Sequence, residues 1–315
     1  MFGMTFAPRT EVRFPSGDTH CAAWHYPGTN GACVVMAGGT GVTKEPGTDR
    51  FAAPFQAAGF SVLAIDFRRI GASGGTPRQV VRVNDQVADY GAAIRFARTL
   101  PEVDPARIAL WGFSLAGGHV FRAAAADPDL AAAIAQTPLA DGPAIGPNAM
   151  RHMTLGAALR LNLCGLLDVV GRRVGRAPRL IPLAGPRGSV ASLTTPDGAK
   201  GALALDPDGR YPDWEQTVAA GSALRMACYR PGRAAANVAC PLLVVVCEDD
   251  TSVLVQPPAD AARRAPQGEL VRLAGDHYAP FMESYDATVA AELAFLRRHL
   301  VDEATDAAPT TVAAA

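Results

Sequence analysis

The chain has 315 residues, of which 49% are hydrophobic and 19% are charged, so it is long enough and apolar enough to bury a large core. This composition excludes an intrinsically disordered protein. The 29 basic residues nearly balance the 30 acidic ones, and a net charge of −1 disfavours a nucleic-acid-binding protein, which normally carries a basic excess.

The six cysteines predict free thiols rather than a metal site or a disulfide framework. None of them forms a C-x-x-C pair, and no Cys/His cluster has zinc-ligand spacing. The first residues lack the basic and apolar stretches of a signal peptide, and no apolar run reaches 18 residues. We therefore expect a cytoplasmic protein with no membrane span and no metal. The cysteines are Cys21, Cys33, Cys164, Cys228, Cys240 and Cys247.

The predicted elements alternate between strands and helices after an initial antiparallel pair at 11–14 and 21–26. Short apolar runs predict strands that are buried on both faces, and such runs alternating with amphipathic helices indicate a mostly parallel, doubly wound sheet. The predicted strands are 32–39, 60–66, 106–112, 131–137, 241–248 and 269–273, and the predicted helices are 48–58, 82–99, 116–126, 255–265 and 283–300.

One long segment between the strands at 131–137 and 241–248 interrupts this alternation. It contains helical patterns at 148–174 and 213–228, and a structureless loop of that length is implausible in a compact domain. We therefore predict an inserted helical cap over the sheet. The predicted division is an α/β core of residues 1–140 and 237–300, a cap or lid of residues 141–236 and a mobile tail of residues 301–315.

The predicted cap carries a leucine stripe and an excess of positive charge. The stripe predicts that most of its members pack on the core, while a minority could line an acyl pocket. Residues 141–236 contain twelve basic and seven acidic side chains, an excess that could attract an anionic substrate such as a carboxylate or a carrier-linked thioester. The leucines at helical spacing are Leu155, Leu159, Leu163, Leu166 and Leu167.

The strongest chemical signal is the sequence WGFSLAGG at 111–118, where a buried strand ends at Gly112 and a helix follows Ser114. This is the context of a nucleophile elbow, G-x-S-x-G, in which a tight turn presents the serine hydroxyl above the sheet. Ala116 replaces the last glycine of the pattern, which is the smallest possible departure. The alternative is an ordinary strand-to-helix loop with a capping serine. The strand–turn–helix context favours the elbow.

A serine nucleophile needs a base, and His277 is the best candidate. In a strand–elbow–helix fold the chain order is serine, acid and then histidine. His277 directly follows the last predicted strand, so its loop opens at the same carboxyl edge as Ser114. The other histidines after the serine are His119 on the helix that leaves the elbow, His152 in the cap and His299 on a solvated face of the last helix.

The acid of such a triad is expected in the sequence CEDDTSV at 247–253. In such loops the carboxylate lies three residues after a small residue at the strand end and three residues before an apolar residue. Counting from Cys247 to Val253 in this way selects Asp250. Asp249 remains an alternative in the same loop, and Asp141 is an alternative at the end of the strand before the cap.

Two backbone N–H groups are candidates for an oxyanion hole. One is that of Leu115, which directly follows the nucleophile, and the other is that of Thr40 in the glycine-rich loop GGTG at 38–41. A phosphate-binding loop is the alternative for this sequence, but no G-K-[ST] follows it. The oxyanion hole is therefore the favoured interpretation.

Asp66, Arg68 and Arg69 follow the strand at 60–66 and precede a glycine-rich turn. An arginine near the mouth of an active site could bind a substrate carboxylate. A structural Asp–Arg pair that fixes the turn is the favoured interpretation.

The motifs GGTG with the following TKE, DFRRIGASGG, DPARIALWGFSLAGGH, CEDDTSV and AGDHYAPFMESYDATVAAELAFLRRHL span most of the chain outside the cap. With this set of motifs the chain resembles the α/β-hydrolase superfamily, and within it the dienelactone-hydrolase-like and acyl-peptidase-like branch of serine hydrolases. Relatives often have His-Gly where this chain has Gly38-Gly39. The local contacts that support the oxyanion loop are therefore expected to differ from those of the relatives.

The resemblance implies a cofactor-free serine hydrolase that acts on a small-molecule ester or thioester through Ser114, His277 and Asp250. An amidase or peptidase, or an acyltransferase or cyclase, could use the same triad. The sequence does not determine the substrate or the acyl length. It also does not determine the oligomeric state, and it is compatible with a homo-oligomer.

Overall fold

Eight strands form one sheet in the order β1-β2-β4-β3-β5-β6-β9-β10 in a computed structural model that describes residues 8–302. The first two strands pair antiparallel, β2 pairs antiparallel with β4, and the remaining neighbours are parallel. The strands of this sheet are β1 Thr10–Ser16, β2 Thr19–Tyr26, β3 Cys33–Ala37, β4 Ser61–Ile65, β5 Ile108–Phe113, β6 Ala132–Gln136, β9 Leu242–Cys247 and β10 Gly268–Leu273. The predicted doubly wound, mostly parallel sheet is confirmed.

Helices cover both faces of the sheet. The helices are α1 Thr48–Ala57, α2 Val83–Ala97, α3 Leu115–Ala126, α4 Gly142–Arg151, α5 Leu155–Arg173, α6 Gly201–Leu205, α7 Ala220–Ala227, α8 Gln256–Arg264 and α9 Tyr285–Arg297. One core lies between the sheet and α2, α3 and α8, and the other lies between the sheet and α1 and α9. Every residue of β3 is buried, with Val35 and Ala37 in the first core and Val34 and Met36 in the second. A strand buried on both faces has no polar side, which explains its unbroken apolar sequence.

The topology creates a crevice at the carboxyl end of β3. This strand lies between β4 and β5, so the chain crosses to one side of β3 through α1 and returns to the other side through α2. Ligands of open α/β sheets bind where the strand order reverses in this way. The loops that follow β3 and β5 therefore meet at the candidate site.

The segment 141–236 differs in detail from its sequence pattern. The helical pattern predicted at 148–174 is broken into α4 and α5, because the Thr154 hydroxyl accepts a hydrogen bond from the Ala157 amide and starts a new helix. The pattern at 213–228 is helical only from Ala220, because it contains a strand, β8 Thr217–Ala219, which pairs antiparallel with β7 Leu180–Pro182. Pairing with a partner this distant along the chain leaves no local periodic signal. Residues 303–315 of the predicted tail lie outside the described residues.

The expected packing of the leucine stripe on the core is wrong. All five leucines of the stripe are exposed, with 44% to 68% of their surface accessible. The helix buries its opposite side against α7 instead. A Cβ atom at Gly165 would lie 2.9 Å from the Leu224 side chain, so the two helices approach too closely for large residues between them. The buried side of α5 therefore consists of the small residues Ala157, Ala158 and Gly165 together with Asp168.

All six cysteines are free thiols, and four of them are buried. No helix within residues 8–302 is long and apolar enough to cross a membrane.

A buried carboxyl group in α9 couples the stability of the fold to pH. Glu292 is fully buried, and Trp111 Nε1 donates a hydrogen bond to its Oε2 at 3.0 Å. Burial raises the pKa of Glu292 to about 8, although the Trp111 hydrogen bond acts in the opposite direction. The folded protein therefore keeps this group protonated at neutral pH, whereas an unfolded chain ionises it above about pH 4.3.

We expect Glu292→Gln to flatten the pH dependence of stability. Between about pH 4.3 and the raised pKa the unfolded chain binds fewer protons than the folded one, so stability falls by about 1.4 kcal/mol per pH unit. Glutamine keeps an acceptor for Trp111 and cannot ionise. Thermal melts from about pH 5 to pH 8 should show a smaller loss of Tm in this variant than in wild type. Glu215→Gln, at an exposed carboxylate, is the matched control, and equal slopes in all three proteins would contradict the prediction.

Candidate active site

The turn between β5 and α3 holds Ser114 in a strained conformation with φ 57° and ψ −115°. Gly112 permits this turn, because a Cβ atom there would lie 2.5 Å from the backbone of Ala116. Ala116 is itself fully buried, so the alanine that replaces the expected glycine is accommodated. The predicted tight turn is thus present. A positive φ in a non-glycine residue stores conformational strain, which is typical of functional sites.

His277 lies in the loop after β10, and its Nε2 is 3.0 Å from Ser114 Oγ. The imidazole is almost completely buried, and its ring centroid lies 5.1 Å from that of Phe113 and 5.0 Å from that of Tyr278. Packing on two sides fixes the orientation of the ring. The geometry suits proton transfer between the serine and the histidine.

Asp250 contacts the other nitrogen of the same ring. Its Oδ2 lies 2.7 Å from His277 Nδ1, and its Oδ1 accepts hydrogen bonds from the amides of Ser252 at 2.8 Å and Val253 at 2.9 Å. Of the alternative acids, Asp249 is exposed, and Asp141 accepts a hydrogen bond from the Ala144 amide as the N-cap of α4. The structure therefore brings together the three side chains predicted as a triad.

The charges around His277 favour its protonated form. Burial is the largest single effect and lowers the pKa of His277, but the charge and the hydrogen bond of Asp250 both raise it. Asp197 and Asp276 add smaller effects of the same sign, so the pKa of His277 is raised above its ordinary value. An imidazolium formed at this position is stabilised by three carboxylates.

Asp197 is a residue of the 141–236 segment that the sequence analysis missed. Its carboxylate is buried and accepts hydrogen bonds from the Thr251 amide at 2.9 Å, the Ser252 amide at 3.0 Å and the Ser252 hydroxyl at 2.7 Å. It therefore fixes the loop that carries Asp250. Nothing in its surrounding sequence, TTPDGAK, distinguishes it from an ordinary turn aspartate, because Thr251 and Ser252 are more than fifty residues away.

We expect Asp197→Asn to move the acid limb of kcat/KM to lower pH. The histidine must be neutral to act as a base, so activity falls as pH drops through the pKa of His277. Removing one negative charge lowers that pKa, and the remaining activity extends to more acidic conditions. Asp208→Asn, an exposed carboxylate of the same segment, is the control. A variant that loses stability but keeps the wild-type pH profile would show that Asp197 is only structural.

The predicted oxyanion loop lies against the elbow. A Cβ atom at Gly39 would be 3.2 Å from Ser114 Cβ, so this loop packs directly on the serine. Val42 N–H donates to Gly39 O at 3.2 Å and closes a turn around Thr40. On the other side, Leu115 begins α3, and the first amides of a helix have no intrahelical acceptor. Both predicted amides therefore belong to backbone that borders Ser114.

His119, the first histidine after the elbow, takes no part in this site. It is fully buried, with its ring nitrogens 2.9 Å from Tyr229 Oη and from Gln86 Oε1. Burial lowers the pKa of His119 to about 3, so the ring stays neutral. His119 is therefore a packed residue of α3.

The group at 66–69 is structural, but its pairing differs from the expected Asp–Arg pair. Asp66 is fully buried and accepts a hydrogen bond from Lys44 Nζ at 3.1 Å. Arg68 pairs instead with Asp89, and Arg69 pairs with Asp85. Each of the three residues thus pairs with a residue at least 16 positions away along the chain, which the local sequence does not reveal.

A cavity of about 860 Å³ opens beside Ser114 and His277. Apart from His277 its lining contains no acidic or basic side chain, so the positive charges of the 141–236 segment do not line it. Within residues 8–302 no cluster of His, Cys, Asp and Glu could hold a metal ion. The apolar part of the lining includes Ile145, Met153, Leu161, Leu183, Leu193, Leu205, Trp214, Met226 and Val253.

Comparisons with known proteins agree with this fold. Residues 29–275 match the model of the serine aminopeptidase S33 family. The quorum-quenching protein AidA of Acinetobacter baumannii is 36% identical over 295 residues, which cover 91% of this chain and 94% of that protein. The crystal structure of the α/β hydrolase GrgF from Penicillium superposes with a TM-score of 0.76 at 25% identity, covering 93% of this chain and 99% of that one.

Two fungal enzymes match a smaller part of the chain. Polyketide transferase ATR5 of Stachybotrys chlorohalonatus is 34% identical over 187 residues, which cover 59% of this chain and 60% of that protein. A thiohydrolase of Eupenicillium brefeldianum is 36% identical over 141 residues, which cover 44% of this chain and 46% of the enzyme. Relatives of this chain thus include one protein named a thiohydrolase and one named a polyketide transferase.

Proposed function

The chain belongs to the serine aminopeptidase S33 family of the α/β-hydrolase superfamily, and from this premise we propose that it is a serine hydrolase of carboxylic esters or thioesters. One observation carries the proposal. Ser114, His277 and Asp250 are hydrogen-bonded in series beside a large uncharged cavity. A serine, a base and an orienting acid in this arrangement perform acyl transfer on many unrelated folds.

In the proposed first half-reaction Ser114 Oγ attacks the carbonyl carbon while His277 Nε2 takes its proton. Asp250 orients the ring and stabilises the imidazolium. The amides of Leu115 and Thr40 hold the negative oxygen of the tetrahedral intermediate. Collapse of the intermediate expels the alcohol or thiol, which takes the proton from His277, and leaves an ester on Ser114.

In the second half-reaction water attacks the acyl-enzyme, with His277 as general base. The new tetrahedral intermediate uses the same two amides. Its collapse releases the carboxylic acid, and the proton on His277 returns to Ser114 Oγ. The cycle consumes one water molecule and needs no cofactor.

We further propose that residues 141–236 form a cap that selects the substrate. The segment supplies cavity residues from α4, α5 and α7. Trp214 Nε1 donates a hydrogen bond to Gly41 O at 2.9 Å, and Asp197 binds the loop of Asp250. These contacts tie the segment to two loops of the site.

The lining of the cavity favours an uncharged, apolar acyl group. Apolar pockets with few polar groups bind ligands mainly by burying their apolar surface. An aminopeptidase must in addition hold the α-ammonium group of its substrate, for which a carboxylate is the usual partner. No carboxylate lines the cavity within the described residues. The lining therefore supports an ester or thioester rather than a peptide with a free amino terminus.

A matched panel of oxoesters, thioesters and amides with acyl chains of increasing length tests this function. We expect kcat/KM to rise with the length of the acyl chain for esters and thioesters, and amides to be poor substrates. Cleavage of aminoacyl amides in preference to acyl esters would overturn the ester assignment while leaving the serine mechanism intact.

The polar substitution Leu161→Asn should reduce selectivity for long acyl chains. Leu161 lines the cavity from α5, and an asparagine there leaves a polar group that an acyl chain cannot satisfy. A change of this size in an apolar pocket is worth about 10-fold or more in kcat/KM for the long substrate. Acetyl esters should be little affected. Leu203→Asn, at an exposed leucine of the same segment, is the control, and equal losses for both variants would contradict the assignment of the acyl site.

Acyl transfer to a second substrate is the alternative, and the similarity to a polyketide transferase favours it. A transferase would partition its acyl-enzyme to an added alcohol or thiol in competition with water. Measuring both products at increasing acceptor concentration distinguishes the two functions.

A further inference from the structure

The outer side of α5 presents an apolar stripe that no part of the described chain covers. We call this surface the α5 stripe and define it as the residues Leu155, Leu159, Leu163, Leu166 and Val170. Each of these side chains is about half exposed or more. Their spacing of three and four residues places them on one side of the helix. Leu167 and Val174 widen and extend the same surface. Contiguous apolar patches of this kind mark interaction sites on soluble proteins.

The stripe is not needed to hold the helix in place. The opposite side of α5 packs on α7 through small residues such as Gly165. Asp168 on that side is buried, and its carboxylate accepts hydrogen bonds from the amides of Arg179 and Gly221. The helix is therefore anchored by one side, while its more apolar side faces outward. This is the reverse of an ordinary surface helix.

The segment that contains the stripe is rich in positive charge. Residues 151–187 contain seven arginines and one acidic residue, and that residue, Asp168, is buried and paired with Arg172. On the helix, Arg160 lies beside the stripe and Arg173 lies at its carboxyl end. The exposed arginines of this region are Arg151, Arg160, Arg173, Arg176, Arg179 and Arg187.

We propose that the α5 stripe and its surrounding arginines dock on an anionic phospholipid surface. Helices that lie in a membrane interface combine a leucine-rich side with flanking basic residues. The apolar side chains enter the acyl boundary, while the arginines pair with anionic headgroups. Because α5 also supplies Leu161 to the cavity wall, docking brings the membrane to about one helix diameter from the cavity.

A second copy of the chain fits this surface less well. In a symmetric dimer each stripe would face its own copy, and the exposed arginines near the stripe of one protomer, such as Arg160 and Arg173, would approach those of the other. The region supplies no exposed carboxylate to pair with them. Like charges brought together without counterions oppose association. An anionic bilayer provides both the apolar layer and the opposite charge.

Vesicle co-sedimentation with the full chain tests the proposal. We expect wild type to bind vesicles of equal parts phosphatidylglycerol and phosphatidylcholine, and to bind pure phosphatidylcholine vesicles much more weakly. The triple variant Leu159→Gln/Leu163→Gln/Leu166→Gln should bind the anionic vesicles at least about 100-fold more weakly, because it removes three apolar contacts. Leucine and glutamine have similar helix propensities, so the helix is retained. Leu203→Gln, at an exposed leucine outside α5, should bind like wild type.

A second pair of variants measures the contribution of the arginines to vesicle binding. Arg173→Gln/Arg176→Gln should weaken binding to anionic vesicles by roughly 25-fold, since one arginine near an anionic surface contributes about a factor of five. Arg95→Gln/Arg297→Gln removes the same charge from exposed sites on α2 and α9 and should have little effect. Raising the salt from about 0.1 M to 1 M should weaken wild-type binding by screening.

Three results would overturn the proposal. The first is equal binding of wild type to neutral and anionic vesicles, or no binding to either. The second is undiminished binding of the triple variant, with circular dichroism showing that it is folded. The third is a dimer in light scattering that the triple variant converts to monomers, which would make the stripe an interface between two copies of this chain.

Discussion

Ser114→Ala is expected to lower kcat by about 10⁴–10⁶-fold, and His277→Ala by a similar factor. The two side chains lie 3.0 Å apart and act as one unit, because the serine is a weak nucleophile until the histidine takes its proton. The residual activity would come from the oxyanion amides and from substrate binding alone. Steady-state kinetics on the best ester of the panel measures the loss.

A fluorophosphonate probe gives a second measurement of the same prediction. The probe should label wild type and fail to label Ser114→Ala. Ser189→Ala changes a serine of the 141–236 segment that lies outside the cavity, and it should be labelled like wild type. Circular dichroism checks that each variant is folded. More than a few per cent of wild-type turnover in either folded triad variant would remove the serine mechanism from this chain.

Asp250→Asn is the second substitution with a large expected effect, a loss of about 10⁴-fold in kcat. The reason lies in the partners of its two oxygens. Oδ1 accepts hydrogen bonds from the amides of Ser252 and Val253, so an asparagine must keep its oxygen there and turn its amide nitrogen toward His277. The ring then offers a lone pair at Nδ1 and holds its proton at Nε2, facing Ser114. In that tautomer it cannot accept the serine proton.

Asp249→Asn is the matched control for this prediction. Asp249 is the preceding residue, but its side chain is exposed, whereas the Asp250 carboxylate contacts the ring. The control should keep nearly full activity. If Asp249→Asn were the severe variant instead, the acid would be assigned one residue too late. If neither substitution mattered, Asp141 would become the candidate, against its observed role as the cap of α4.

The sequence by itself determined the frame of the protein and the composition of its candidate site. The strand order along the chain followed from short apolar runs, since a strand buried on both faces leaves no other pattern. The elbow at Ser114 could be recognised because tight backbone geometry demands small neighbours, and Gly112 touches Ala116 as expected. His277 and Asp250 each followed a predicted strand. In a parallel sheet the carboxyl ends of strands meet at one edge, so local position was sufficient.

Only the tertiary structure decided which surfaces face each other. Helical spacing shows that the leucines of α5 share one side, but it does not show whether that side is packed, and here the small residues are buried instead. In the same way no local pattern connects Asp197 to the loop of Asp250, or Asp66 to Lys44. These pairs are made by elements far apart in the chain. Periodicity encodes the geometry of one element, whereas packing partners depend on how all elements share the available space.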